Sequence, residues 1–128
     1  MTESKTPPEK GSGSSGIQET SIDDICVFHI SGYCTGGTGE ELWTLLEGRV
    51  PHLPRKLVWD FSKCGAVNSP GIVSLLEVAL RVVDDFDCRL VMTGLTEVQI
   101  KVFELAPLLP LAEHAPTIRE ACQLLRDS

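Results

Sequence analysis

The chain of 128 residues is the length of one domain, and 42% of it is hydrophobic, enough to build a core without covalent staples. A formal net charge of −7, with Lys and Arg scattered and never in a run, argues against phosphate backbones and anionic lipid heads as partners. No apolar run is long enough to cross a bilayer and Met1 to Gly16 offers no hydrophobic signal segment, so a cytoplasmic protein is expected.

Residues 1 to about 20 are Ser-, Gly-, Thr-, Glu- and Lys-rich, with little to bury, and are expected to form a disordered tail or tag. Ordered structure is expected from near Ile22. The apolar, β-branched run Ile25-Cys26-Val27-Phe28-His29-Ile30 predicts a strand ending at Gly32. Thr38 with Glu41 three residues on has capping-box spacing and predicts a helix carrying Leu42, Leu45 and Leu46 on one face, stopped by Pro51 and Pro54. Lys56 to Asp60 reads as a strand buried on both faces.

Ser69-Pro70 then predicts a helix start, with Ser69 as N-cap and Pro70 at the first helical position, where no needed hydrogen bond is lost. Ile72, Leu75, Leu76, Ala79, Leu80 and Val83 are assigned to its core face. Val73, Val78 and Val82 fall off that stripe, and form either a second apolar stripe for a partner or a second buried side. Asp84-Asp85 oppose the helix dipole and predict a frayed end. Cys88 to Met92 is a third strand. Thr96 and Gln99 cap a helix bearing Val98, Val102, Phe103 and Leu105. A short edge strand is expected over Leu108 to Ala112, and Thr117 with Glu120 opens a last helix with Ile118, Ala121, Cys122 and Leu125 on one face. Strands alternating with capped helices predict an α/β fold with a largely parallel sheet.

Two stretches carry a resemblance: Leu57-Val58-Trp59-Asp60-Phe61-Ser62, and Val67-Asn68-Ser69-Pro70-Gly71-Ile72-Val73-Ser74-Leu75-Leu76. With Arg89 to Thr96 and Ala115 to Ala121 in the expected order, residues 22 to 126 resemble the STAS domain of bacterial anti-sigma factor antagonists. The resemblance implies a single STAS-like domain over residues 21–128, a mixed, mostly parallel sheet of four or five strands, and about four helices. It also implies a regulatory binding protein rather than an enzyme. Its partner would be an anti-sigma factor or an anti-sigma-type Ser/Thr kinase, and a homo-oligomer fits the family too. By position, Ser69 is the phosphoacceptor, Asn68, Pro70, Gly71, Ile72 and Val73 meet the partner, and Asn68 and Gly71 also shape the turn. The alternative within the resemblance is a phosphorylation-silent subunit scaffolding a stress-signalling or lipid-transport assembly.

Two positions depart from the family's Asp-Ser-Ser/Thr-Gly turn: Asn68 replaces the Asp, and Pro70 replaces the hydroxyl residue and deletes a backbone N–H. Independently of the resemblance, a phosphate at a helix start adds about −1.5 to −2 charge beside a partner's apolar contacts.

Rival chemistries find less support. Asp60 at a strand tip suits a phospho-accepting receiver, yet Asp23-Asp24 lie at the wrong end of the first strand to hold Mg²⁺, so Asp60 is expected to cap a turn. Ser69 lacks a G-x-S-x-G elbow, and His29, His52 and His114 have no Asp partner evident in the sequence. Gly36-Gly37-Thr38-Gly39 lacks the Lys of a phosphate-gripping loop, and Lys63 is the one basic neighbour of Cys64. The five cysteines have no CxxC pair and match no metal-site spacing, so free thiols, no metal and no cofactor are expected.

Overall fold

The computed structural model describes residues 15–105 and 112–126. Five strands form one sheet in the order β1-β2-β3-β4-β5: β1 Ser15–Ile22, β2 Ile25–Cys34, β3 Lys56–Val67, β4 Arg89–Thr93 and β5 Glu113–Ala115. β1 pairs antiparallel with β2, and every later pair is parallel. Four α-helices join or follow them: α1 Gly36–Glu47, α2 Ser69–Leu80, α3 Glu97–Leu105 and α4 Ile118–Arg126. The predicted class, strand number and helix number are those observed.

Both faces of the sheet are covered, as a parallel sheet requires. Phe28, Ile30, Leu57, Trp59, Phe61, Leu90 and Met92 point to the side of α1, α2 and α3 and form the larger core. Ile25, Val27, Val58, Val91 and Ala115 point the other way and pack on Ala121, Cys122 and Leu125 of α4. Period-two alternation along the strands thus divides one apolar block between two cores. Among the described residues, no helix is long and apolar enough to cross a membrane.

Several boundaries differ from expectation. The tail expected over residues 1–20 gives way at Ser15 to β1, an edge strand hydrogen-bonded along β2 from Ser15↔Gly32 to Ile22↔Ile25. Its side chains are mostly exposed, which is why composition alone reads them as tail. Residues 1–14 of that expectation lie outside the described residues. β2 and β3 run on to Cys34 and Val67, past Gly32 and Asp60, through irregularities in their register.

α1 starts two residues before Thr38: Thr35 is its cap, and Thr38, buried at the third helical position, returns the hydrogen bond to the Thr35 N–H at 2.9 Å. The expected Thr38–Glu41 box is therefore a Thr35–Thr38 box. The caps at Thr96 and Thr117 are where expected: Gln99 N–H donates to Thr96 Oγ1 at 3.1 Å, Thr96 N–H to Gln99 Oε1 at 3.0 Å, and Glu120 N–H to Thr117 Oγ1 at 3.2 Å. α2 does not fray at Asp84-Asp85 but widens into a π-helical turn over Arg81–Asp85. Of the strand expected at Leu108–Ala112, residues 108–111 lie outside the described residues, and the last strand is at Glu113–Ala115.

Candidate functional site

α2 leaves the end of β3 through one residue, Asn68, whose extended backbone (φ −89°, ψ 173°) makes it the N-cap. Asn68 Oδ1 accepts the Gly71 N–H at 2.8 Å, and its own N–H donates to the Cys34 carbonyl at 3.1 Å. Ser69 is thus the first helical residue, not the cap expected from its type, and Pro70 is the second. The cap contribution of about 1 kcal/mol belongs to Asn68.

This one-residue shift changes the chemistry of the turn. A helix start offers its first N–H groups to an anion. Here the Gly71 N–H is taken by Asn68 and Pro70 has none, which leaves the Ser69 N–H itself. The Ser69 side chain is exposed, as is Pro70 beside it.

Gly71 is buried and shapes the turn. A Cβ there would lie 2.6 Å from the Cys34 carbonyl oxygen, so only glycine lets the helix sit this close to the end of β2. Gly39 does the same between α1 and α2: a Cβ would fall 2.4 Å from the Ser74 carbonyl oxygen. Ser74 Oγ completes the joint, accepting the Gly39 N–H at 3.1 Å.

The buried side of α2 is Gly71, Ser74, Leu75, Val78 and Ala79, continuing to Val82. Val78 and Val82, expected off the core stripe, are therefore core residues. Leu80, expected in the core, is 41% exposed, and Val73 is 55% exposed. Ile72 and Leu76 are half-buried. Helical spacing aligns Ser69, Val73, Leu76 and Leu80 along one outer face. This apolar stripe headed by a hydroxyl lies one helical step away from where the periodicity had put it. The signal that would have found it is the i, i+4, i+7, i+11 series starting at Ser69. On α3, Val98 and Leu105 are exposed and Phe103 alone of its expected apolar face is fully buried. Val98 lines a cleft of about 260 Å³ with Ala66, Val67, Thr96, Gln99 and Val102.

Asp60 has a wider role than the turn alone. Its Oδ1 accepts the Ser62 N–H at 3.0 Å, and its Oδ2 lies 2.9 Å from His29 Nδ1. The expectation that His29 has no acidic partner is overturned: parallel register places His29 of β2 directly beside Asp60 of β3. Thr20 Oγ1 of β1 lies 2.9 Å from the other ring nitrogen. Burial raises the Asp60 pKa, but the Ser62 N–H and then the His29 ring outweigh it and hold the carboxyl below its ordinary value. The three residues tie β1, β2 and β3 together, and line a hollow with Gln18, Ser31 and Lys63. Asp23 and Asp24 lie far from it, paired with Arg126 and Lys56. Among the described residues no group of three or more His, Cys, Asp or Glu is placed to hold a metal ion.

No protein-family model matches the chain, and no curated protein matches it. Solved structures do. An anti-sigma factor antagonist from Mycobacterium paratuberculosis superposes with a TM-score of 0.72 at 21% identity, over 90% of this chain and 97% of that one. The RsbS protein of Moorella thermoacetica gives a TM-score of 0.72 at 20% identity, over 87% and 95%. The anti-sigma factor antagonist SpoIIAA in its unphosphorylated form gives 0.68 at 15% identity, over 88% and 100%, and its phosphorylated form, from Bacillus, matches as well. The architecture, a five-stranded mixed sheet with four helices, is thus the STAS fold of the anti-sigma factor antagonists.

Proposed function

We infer that the protein is a regulatory binding module of the anti-sigma factor antagonist kind, with no catalytic activity of its own, and that phosphorylation of Ser69 controls its partner. The observation that carries this reading is the exposed Ser69 hydroxyl at the head of the outer apolar face of α2. A partner docks on Val73, Leu76 and Leu80, with Pro70 and the turn at Asn68 at its edge. Burying two or three such side chains contributes on the order of 1.5–3 kcal/mol each before ordering costs.

A phosphate on Ser69 introduces about −1.5 to −2 charge at the edge of that surface. Within the helix start it finds little relief, because Pro70 and the Asn68 cap leave it one backbone N–H. It stays hydrated and repels an apolar partner, and the complex opens. The partner class is an anti-sigma factor or an anti-sigma-type Ser/Thr kinase, whose own ATP supplies the phosphate. The solved antagonists of the same fold support this reading, SpoIIAA in particular, for which both phosphorylation states are known.

The same shortage of donors favours a second reading, a phosphorylation-silent scaffold subunit that uses the α2 face constitutively. One assay separates them. The chain is incubated with ATP and the anti-sigma-type kinases of its source organism, and its intact mass and peptides are mapped. A gain of about 80 Da on the peptide containing Ser69, absent in Ser69→Ala, supports the switch. A stable complex with an unmodified Ser69 peptide rejects the switch and supports the scaffold.

A further inference from the structure

Cys34 ends β2 and Cys64 lies three residues before the end of neighbouring β3, and their sulfurs are 3.2 Å apart in the buried core. A disulfide requires about 2.05 Å, so the two sulfurs need to close by only about 1.2 Å, within reach of a side-chain rotation and a small shift of the irregular strand ends. The irregular register between Gly32↔Cys64 and Cys34↔Val67 is where such a shift meets least resistance.

The pair is also where three helix starts meet. Cys34 precedes Thr35, the cap of α1; its carbonyl accepts the Asn68 N–H and abuts Gly71 at the start of α2. The Cys64 carbonyl lies 3.5 Å from Gln99 Nε2, whose Oε1 caps α3.

We propose that Cys34 and Cys64 form a reversible disulfide on exposure to a peroxide, and that this modification moves the floor of the Ser69 turn and weakens docking on α2. The two sulfurs have different characters. Its hydrogen bond with the Cys34 thiol holds the Cys64 thiol down to about 7 against the opposing effect of burial, whereas that same bond and burial push Cys34 up. Cys64 is therefore the nucleophile. Its thiolate attacks one peroxide oxygen and the O–O bond breaks, giving a sulfenic acid and hydroxide. Cys34 gives up its proton and attacks the sulfenyl sulfur, expelling a second hydroxide. Overall, two thiols and one H₂O₂ become one disulfide and two waters. Cys64 retains 8% exposure and directly precedes Gly65 and Ala66, which line the α3 cleft. Cys26 is less suited: burial first, and Glu19 next, push its thiol up to about 11.

Disulfide formation is independent of the function proposed for α2; the effect on docking rests on it. The full chain is treated with hydrogen peroxide, its free thiols are alkylated, and it is mapped by peptide mass with and without dithiothreitol. The expected result is a loss of about 2 Da, a single Cys34–Cys64 cross-link reversed by reductant, and amide exchange at Gly71 and Ile72 altered by about fivefold or more. Full alkylation of both cysteines after peroxide, or a cross-link to another cysteine, overturns it. Cys34→Ala and Cys64→Ala each abolish the mass loss, and wild-type mapping stands without them if either fails to fold. Binding of the oxidised and reduced chains to an α2 partner then separates the two halves. Equal affinity rejects the switch while docking stands; a cross-link with altered exchange but no α2 partner rejects the docking function alone.

Discussion

The start of α2 and the Thr20–His29–Asp60 cluster sit on opposite faces of one sheet and are built by opposite means. The α2 turn is local: Asn68, Pro70 and Gly71 lie within four residues, and each has a standard role at a helix start. The cluster is assembled from three strands, across up to 40 residues of chain, by register alone. The first leaves a hydroxyl and an apolar stripe facing outward. The second spends its hydrogen bonds within the three strands and clamps the edge strand β1 to the sheet. A local motif is thus free to serve a partner, whereas the long-range one is engaged in holding the fold.

The α2 turn is most vulnerable at Gly71. Gly71→Ala forces Cβ against the Cys34 carbonyl, and thermal unfolding is expected to show a loss of about 3 kcal/mol. Asp60→Ala comes next, leaving the His29 ring and the Ser62 N–H without their acceptor, at about 1–3 kcal/mol. Asp60 also marks the acid limb. Its folded pKa is depressed, so its contribution is present above the ordinary carboxylate value of about 4 and is lost as pH falls through the lower folded value. Stability measured from pH 6 to pH 2 is expected to fall less steeply in Asp60→Asn than in the wild type. Asn68→Ala removes a cap and is expected to cost about 1 kcal/mol, while Ser69→Ala stays within about 0.5 kcal/mol of wild type. Equal losses at 68 and 69 would contradict the assignment of Asn68 as the cap.

The fold class was legible because strands and capped helices alternate, and Thr96 and Thr117 mark helix starts where local chemistry acts without competition. The starts of α1 and α2 were misplaced for a physical reason. Several residues in a row, Thr35 to Thr38 and Asn68 to Ser69, are competent caps, and tertiary contacts with Cys34 and Ser74 choose among them. β1 is not legible in the sequence because an edge strand with exposed side chains has the composition of a tail, and only the partner strand specifies it. The core side of α2 was misread by one step because apolar residues nearly encircle the helix, so periodicity alone fixes no face. The His29–Asp60 pair had no local signal at all. The family resemblance led to Ser69, but the stripe through Val73, Leu76 and Leu80 emerged only with the packing.

A regulatory role requires that the outer face of α2 be a docking surface governed by Ser69. The most direct measurement is calorimetric titration of an anti-sigma-type kinase or anti-sigma factor that captures the wild-type chain, compared across Val73→Asp, Ser69→Glu and Val98→Asp. The expected result is a loss of affinity of about tenfold or more for Val73→Asp and Ser69→Glu, with stability unchanged and Val98→Asp near wild type. Undiminished binding by both α2 variants would contradict it.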